Sequence, residues 1–157
     1  MRNKHFYLVA IAILFLSSCA TTRQFVRFTD NSTQNPAPKA RIYVLRTASF
    51  KAGAIKSPIY CNGEIIGKIG SHGYLCWDVE EGTYNLNSAD EGRYLGKSQT
   101  ENKDFFTIKA KAGKTYYIKQ NTKMSDFGRA LSLSQLSESE GIRALKGLKK
   151  PKLNYAE

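Results

Sequence analysis

The chain has 157 residues, a formal net charge of +11, 41% hydrophobic residues and 11% aromatic residues. That length has room for one compact domain of roughly 100 residues beside a leader, and the composition excludes wholesale disorder and a collagen-like repeat. So positive a chain points to anionic partners: nucleic acid for a cytoplasmic protein, acidic lipid or polymer for an exported one.

Arg2, Lys4 and His5 precede an apolar run from Phe6 to Leu16, and the small residues Ser17 and Ser18 stand directly before Cys19. Basic start, apolar centre and small-residue cleavage site are the order of a secretion leader, expected here over residues 1–18. The apolar run is well short of the ~20 residues that a bilayer-spanning helix needs, so a cleaved leader is favoured over a permanent anchor helix. Leu16-Ser17-Ser18-Cys19 resembles the bacterial lipobox. The resemblance implies that the Cys19 thiol receives diacylglycerol and that the new terminal amine is acylated. Each buried methylene contributes about 0.8 kcal/mol, so two or three chains hold durably where one holds reversibly. In a Gram-negative host, Ala20 after the lipidated cysteine resembles the signal for outer-membrane sorting, with the protein facing the periplasm. An exported chain of this charge is expected to meet envelope proteins, glycans or anionic lipids, and no nucleic acid.

Residues 19–39 are rich in Thr, Asn, Gln and Pro and read as a lipidated tether reaching up to about 60 Å at ~3.3 Å per residue. Phe25, Val26 and Phe28 are unusual in a tether and are expected to dock on the domain.

The domain proper, residues 40–148, reads as short strands divided by turn signals. Ile42–Leu45 is the first. Pro58–Cys61 leads into Asn62-Gly63, a strong hairpin signal because both central positions of a type I′ turn take positive φ, and Ile65–Ile69 returns. Tyr74–Val79 follows, Glu81-Gly82 turns into Thr83–Ala89, and Glu91-Gly92 marks the next break. Phe105–Ala110 and Thr115–Lys119 flank Ala112-Gly113 as a second expected hairpin. Ala130–Leu136 alternates, with Leu131, Leu133 and Gln135 on one side. Ser137 and Glu140 form a capping box for a helix carrying Ile142, Leu145 and Leu148 on one face, stopped by Pro151. Residues 149–157 read as a basic tail. This spacing, without long crossover helices, predicts an all-β fold: a small antiparallel β-sandwich with a short C-terminal helix.

Ala40–Arg46, Asn62-Gly63 with Ile66-Gly67, Glu81-Gly82-Thr83-Tyr84, and Ala112-Gly113-Lys114-Thr115-Tyr116-Tyr117-Ile118 resemble the bacterial lipoprotein family catalogued as domain of unknown function 2846. The likeness spans roughly Ala40 to Lys146. A looser resemblance is to PEGA-type surface modules, which are small β-sandwiches. Neither family carries a catalytic motif to transfer, so the resemblance implies fold and location.

Cys61 and Cys76 stand open between a disulfide and two buried strand thiols. A bridge closing about 15 residues would contribute roughly 3 kcal/mol in the chain-entropy model. Tyr60, Trp77 and Tyr116 are the candidate ligand face, from a tyrosine-rich set including Tyr43, Tyr74, Tyr84, Tyr94 and Tyr117, although strand packing alone enriches aromatics. Lys146, Lys149, Lys150 and Lys152 complement a helix C-terminus or contact an anionic surface. His72, in Gly70-Ser71-His72-Gly73, and the carboxylates Asp78, Glu80 and Glu81 are the materials for an alternative hydrolase. No G-x-S-x-G, H-E-x-x-H or metal-spaced cluster supports that alternative. The expectation is a non-enzymatic binding or accessory module without cofactor or metal.

Overall fold

Strands form where apolar and polar residues alternate, and the computed structural model, which describes residues 21–26, 39–48, 55–88, 105–125 and 128–154, arranges them in two sheets. The elements are β1 (Arg23–Gln24), β2 (Ala40–Arg46), β3 (Ser57–Cys61), β4 (Glu64–Ile69), β5 (Gly73–Val79), β6 (Gly82–Ser88), β7 (Phe106–Ala110), β8 (Thr115–Ser125), β9 (Gly128–Leu136), α1 (Glu138–Leu145) and β10 (Lys152–Leu153). One sheet has the order β10-β1-β4-β3-β6-β7 and the other β5-β2-β8-β9. The expected leader, Cys19, Phe28, the Glu91-Gly92 break and Tyr94 lie outside the described residues.

The main core fills the space between the sheets. Ile42, Val44, Leu75, Trp77 and Ile118 face it from the smaller sheet, and Ile59, Ile69, Leu86 and Ile108 from the larger. Burying such a side chain contributes about 1.5–3 kcal/mol. On β5 the side-chain period of two sends Leu75, Trp77 and Val79 inward and Tyr74 and Cys76 outward. The outward pair joins Leu45 and Tyr117 in a second cluster, covered by Ala144, Leu145 and Leu148. Strands β2 and β5 are buried nearly end to end because both faces are covered.

The Asn62-Gly63 hairpin forms as expected, with φ of +49° and +86°. Asn62 also fastens it to β6: its N–H donates to the Asn85 carbonyl and its side-chain oxygen accepts from the Asn85 N–H, both at 2.9 Å. A register shift between Ile59 and Tyr60 brings Ile66 as well as Ile69 into the core.

Several expectations need correction. The sheets are mixed, since β2 pairs with β8, and β1 with β10, in parallel. A parallel pair needs a long connection, but strands β3 to β7 supply it here in place of a helix. The β7 and β8 segments are not a hairpin. β7 pairs with β6 in one sheet, whereas β8 pairs with β2 and β9 in the other, so the chain crosses between sheets at Ala112-Gly113. Gly113 has φ +74° and donates to the Lys39 carbonyl at 3.0 Å, and a positive-φ glycine serves such a corner as well as a hairpin.

The stretch read as tether and the stretch read as basic tail both enter the larger sheet. Thr22 and Gln24 are buried, and Gln24 grips the Cys76 backbone across the sandwich: its Nε2 donates to the carbonyl at 2.6 Å and its Oε1 accepts from the N–H at 2.9 Å. Thr22 Oγ1 accepts from Gly70 N–H at 2.9 Å, and Val26 packs against the core, as docking on the domain required. At the other terminus Lys152 N–H donates to the Thr22 carbonyl and Asn154 N–H to that of Gln24, at 2.9 and 2.8 Å.

The helix starts after Ser137 with both arms of the capping box in place. Hydrogen bonds from the Ser137 hydroxyl and N–H hold the Glu140 carboxyl below its ordinary range. Its buried face differs from the expected one. Ile142 is exposed, and Gly141 is the buried residue, set against the Tyr117 ring so closely that a Cβ would lie 2.1 Å from it.

Candidate functional site

At one end of the sandwich, here called the upper end, β2, β4 and β6 finish and β3, β5 and β7 begin. The inward-facing series of three strands turns polar there. Ile42 and Val44 are followed by Arg46, Leu86 by Ser88, and Ile118 by Gln120, and the three polar residues are all buried. Gln120 Nε2 donates to Ser88 Oγ at 2.5 Å, tying the two sheets together. The Arg46 guanidinium donates to the carbonyls of Ile55 at 2.6 Å and Ile69 at 3.2 Å, securing the ends of neighbouring connections.

Clefts flank this tie. One, of about 380 Å³, is lined by Arg46, Thr47, Lys119, Gln120, Asn121 and Thr122 and is polar. The other, of about 320 Å³, lies beyond Ser88 and is walled by Phe105, Phe106, Leu131 and Leu133 with Asn87 and Ser132. Phe105 is 52% exposed, which leaves much of its ring available at the cleft mouth. The Gln120 carbonyl oxygen is buried without a hydrogen-bond partner among the described residues. Leaving such an acceptor unmade costs about 1–3 kcal/mol, so a donor reaching it is favoured. Both clefts expose mainly polar atoms, with aromatic and aliphatic side chains added to the wall beyond Ser88, and suit a ligand rich in hydroxyl or amide groups.

The expected ligand face is not assembled. Trp77 is inside the main core, Tyr60 lies half-buried on the outer face of the larger sheet, and Tyr116 packs against the core from β8. The Tyr116 hydroxyl is engaged at the corner, donating to the Lys109 carbonyl and accepting from Lys111 N–H, each at 3.0 Å. The second tyrosine group is internal too: Tyr43 stacks on Tyr117 at 5.4 Å and meets Tyr74 at 6.0 Å. Burial pushes the Tyr43 and Tyr117 hydroxyls above their usual range.

Cys61 and Cys76 are buried free thiols, which settles the two readings against a bridge. Strand parity explains it: Cys61 faces the main core from β3, whereas Cys76 turns to the opposite face of β5, under the helix. Burial pushes the Cys61 thiol up to about 11, with the Trp77 indole pulling the other way.

His72 is exposed on the upper turn with φ +61°, and its carbonyl accepts from Lys149 N–H at 2.8 Å. Asp78 lies at the far end of β5, roughly 20 Å away at ~3.3 Å per residue. Each nearby carboxylate is engaged: Asp78 takes Arg41 Nε and Nη2 at 2.7 and 3.0 Å, Glu80 pairs with Lys39 at 3.2 Å, and Glu81 accepts from Ala112 N–H at 3.2 Å. Arg41 is 2% exposed, and the hydrogen bond to Asp78 raises its guanidinium pKa further. The lysines past the helix divide, since α1 ends at Leu145 and Lys149 bridges to Gly73 while Lys152 lies in β10. Among the described residues no group of His, Cys, Asp and Glu is placed to hold a metal, and no helix is long and apolar enough to cross a membrane.

Two face-packed sheets with a helix over the smaller one define a small β-sandwich domain with two mainly polar clefts at one end. The chain belongs to the DUF2846 family, described as a protein of unknown function, whose profile matches residues 36–131. It is also similar to an uncharacterised protein of Haemophilus influenzae, 28% identical over 145 residues that make up 90% of this chain and 80% of the relative. The matched family region contains β2 to β8 and leaves β1, α1 and β10 outside.

Proposed function

We propose that this chain is a lipid-anchored lipoprotein of the bacterial outer membrane whose domain acts as a non-enzymatic binding or accessory module, engaging an envelope protein or glycan through the upper end. The observation that carries the binding role is the Gln120–Ser88 tie between two mainly polar clefts, with the Gln120 acceptor unmet among the described residues. The anchor rests on the leader and on Cys19, read from sequence. The placement of β1 supports a short tether, because Arg23 lies four positions after Cys19, a span of at most about 14 Å. The domain therefore works close to its anchor, without the 60 Å reach of a free tether. A hydrolase would need His72 beside a free carboxylate, and their separation along β5 favours the binding role.

Cross-linking in intact cells, followed by purification and identification of attached proteins and glycans, tests this reading. Cys19→Ala is the unanchored control, and Gln120→Leu probes the cleft. A stoichiometric partner or polymer, lost in both variants while the Gln120→Leu chain remains folded, is the expected result. Equal recovery from wild type and Gln120→Leu would remove the upper end from the binding role. No enriched partner or polymer at all would overturn the module reading and direct attention to activity screens.

A further inference from the structure

Arg23 lies directly across from Lys68 on one side and from Lys152 on the other, so three cations stand abreast on β10, β1 and β4. Side chains at opposed positions share a face with Cβ atoms about 5 Å apart, and like charges there repel. Their face is the outer one, because the next pairing, Gln24 with Gly67, points into the core. Tyr60 and the exposed Ile65 oppose each other on the same face one step further along the hairpin. Lys149, also exposed, sits at the adjoining corner through its bridge to Gly73.

The described carboxylates stand away from this row. Among the described residues, the carboxylates of Glu64, Asp78, Glu80 and Glu81 lie toward the lower end of the strands, and those of Glu138 and Glu140 belong to the helix on the far side of the smaller sheet. The cationic row lies at the point where the chain enters β1, at most about 14 Å of extended chain from Cys19.

We infer that this corner of the larger sheet's outer face, Lys152–Arg23–Lys68 with Lys149, Tyr60 and Ile65, docks on the phosphate headgroups of an anionic phospholipid surface. Cations meet phosphate, while the amphipathic ring and the aliphatic side chain suit the headgroup boundary. Docking there lays the larger sheet against the bilayer and turns the helix-covered sheet outward. The reading rests on Cys19 as the attachment site for its geometry, but the charge arrangement is independent of the lipid. Arg23, Lys149 and Lys152 fall outside the matched family region, whereas Tyr60, Ile65 and Lys68 lie within it.

The test is amine labelling of the purified full-length processed protein in vesicles, with rates read by mass spectrometry. Lys68, Lys149 and Lys152 are expected to react several-fold more slowly in vesicles containing phosphatidylglycerol than in pure phosphatidylcholine. Labelling should recover at ~0.5 M salt, where the Debye length falls to a few ångströms. Lys111 and Lys114, at the lower end, serve as internal references. Equal protection of all five lysines, or none, overturns the docking face. Protection that appears only when envelope proteins are added assigns the face to an acidic protein and overturns the lipid occupant. The mass of the N-terminal peptide reads lipidation separately. Protected lysines with an unlipidated Cys19 would keep the face and remove the anchor, and a lipidated Cys19 with unprotected lysines would do the reverse.

Discussion

Replacing Gln24 by leucine keeps the bulk of a fully buried side chain and deletes both hydrogen bonds to the Cys76 backbone. The Cys76 N–H and carbonyl would lose these partners in a dry interior, as would the Val26 carbonyl, which accepts from the same amide at 3.1 Å. At about 1–3 kcal/mol for each buried group left unmade, less whatever the strand pairing recovers, the loss should be about 2–5 kcal/mol. For a domain of this size the urea slope is about 1–3 kcal/mol per molar, so the midpoint should fall by roughly 1–2 M with the slope unchanged. Urea unfolding followed by circular dichroism measures it, and amide exchange at Cys76 locates it. A midpoint shift under about 0.2 M would refute the argument, because β1 would then be an accessory strand and the cross-sandwich grip a minor contact.

Gly141→Ala should destabilise by about 1–3 kcal/mol despite alanine's better helix propensity, since the new methyl would displace the Tyr117 ring; a raised melting temperature would show that the ring yields freely. Asp78→Asn should lower stability by about 2–4 kcal/mol by leaving the buried Arg41 charge without its carboxylate, and Arg41→Met combined with it should recover part of the loss in a double-mutant cycle. The folded Cys61 thiol ionises at about 11 against a usual 9.0, so its contribution to stability is complete below pH 9 and declines as the pH rises through 11. Urea midpoints should fall over that window and fall less in Cys61→Val; identical alkaline profiles would refute it.

Much of the strand pattern was legible because one signal decided each case. Asn62-Gly63 specifies positive φ at two successive positions, and Ser137 with Glu140 specifies a helix start, whatever surrounds them. Pairing partners were not legible in the same way. The Ala112-Gly113 turn reverses the chain equally well within a sheet or between sheets, and only the core positions of Phe106 and Ile108 beside β6 decide which. Gln24 looked like tether because a lone buried amide carries no periodic signal. The upper-end residues left a trace in sequence that the aromatic pattern obscured: Arg46, Ser88 and Gln120 each occupy the next inward step after an apolar series, where a core position becomes polar. Tyr60, Trp77 and Tyr116 share a residue class but lie on three strands with different facing, so composition alone could not assemble them.

The parallel pairing of β1 with β10 also sets an order in time. Residues 22–24 are made well before Lys152 and Asn154, yet the carbonyls of Thr22 and Gln24 wait for the N–H groups of those two residues. A chain delivered from its N-terminus can pair β1 with β4 early but leaves the outer edge of β1 open until residues 152–154 arrive, and contacts so distant in sequence form slowly. Completion of this edge therefore comes long after β1 is made, and a chain interrupted before residue 152 would present an unpaired strand edge to its neighbours.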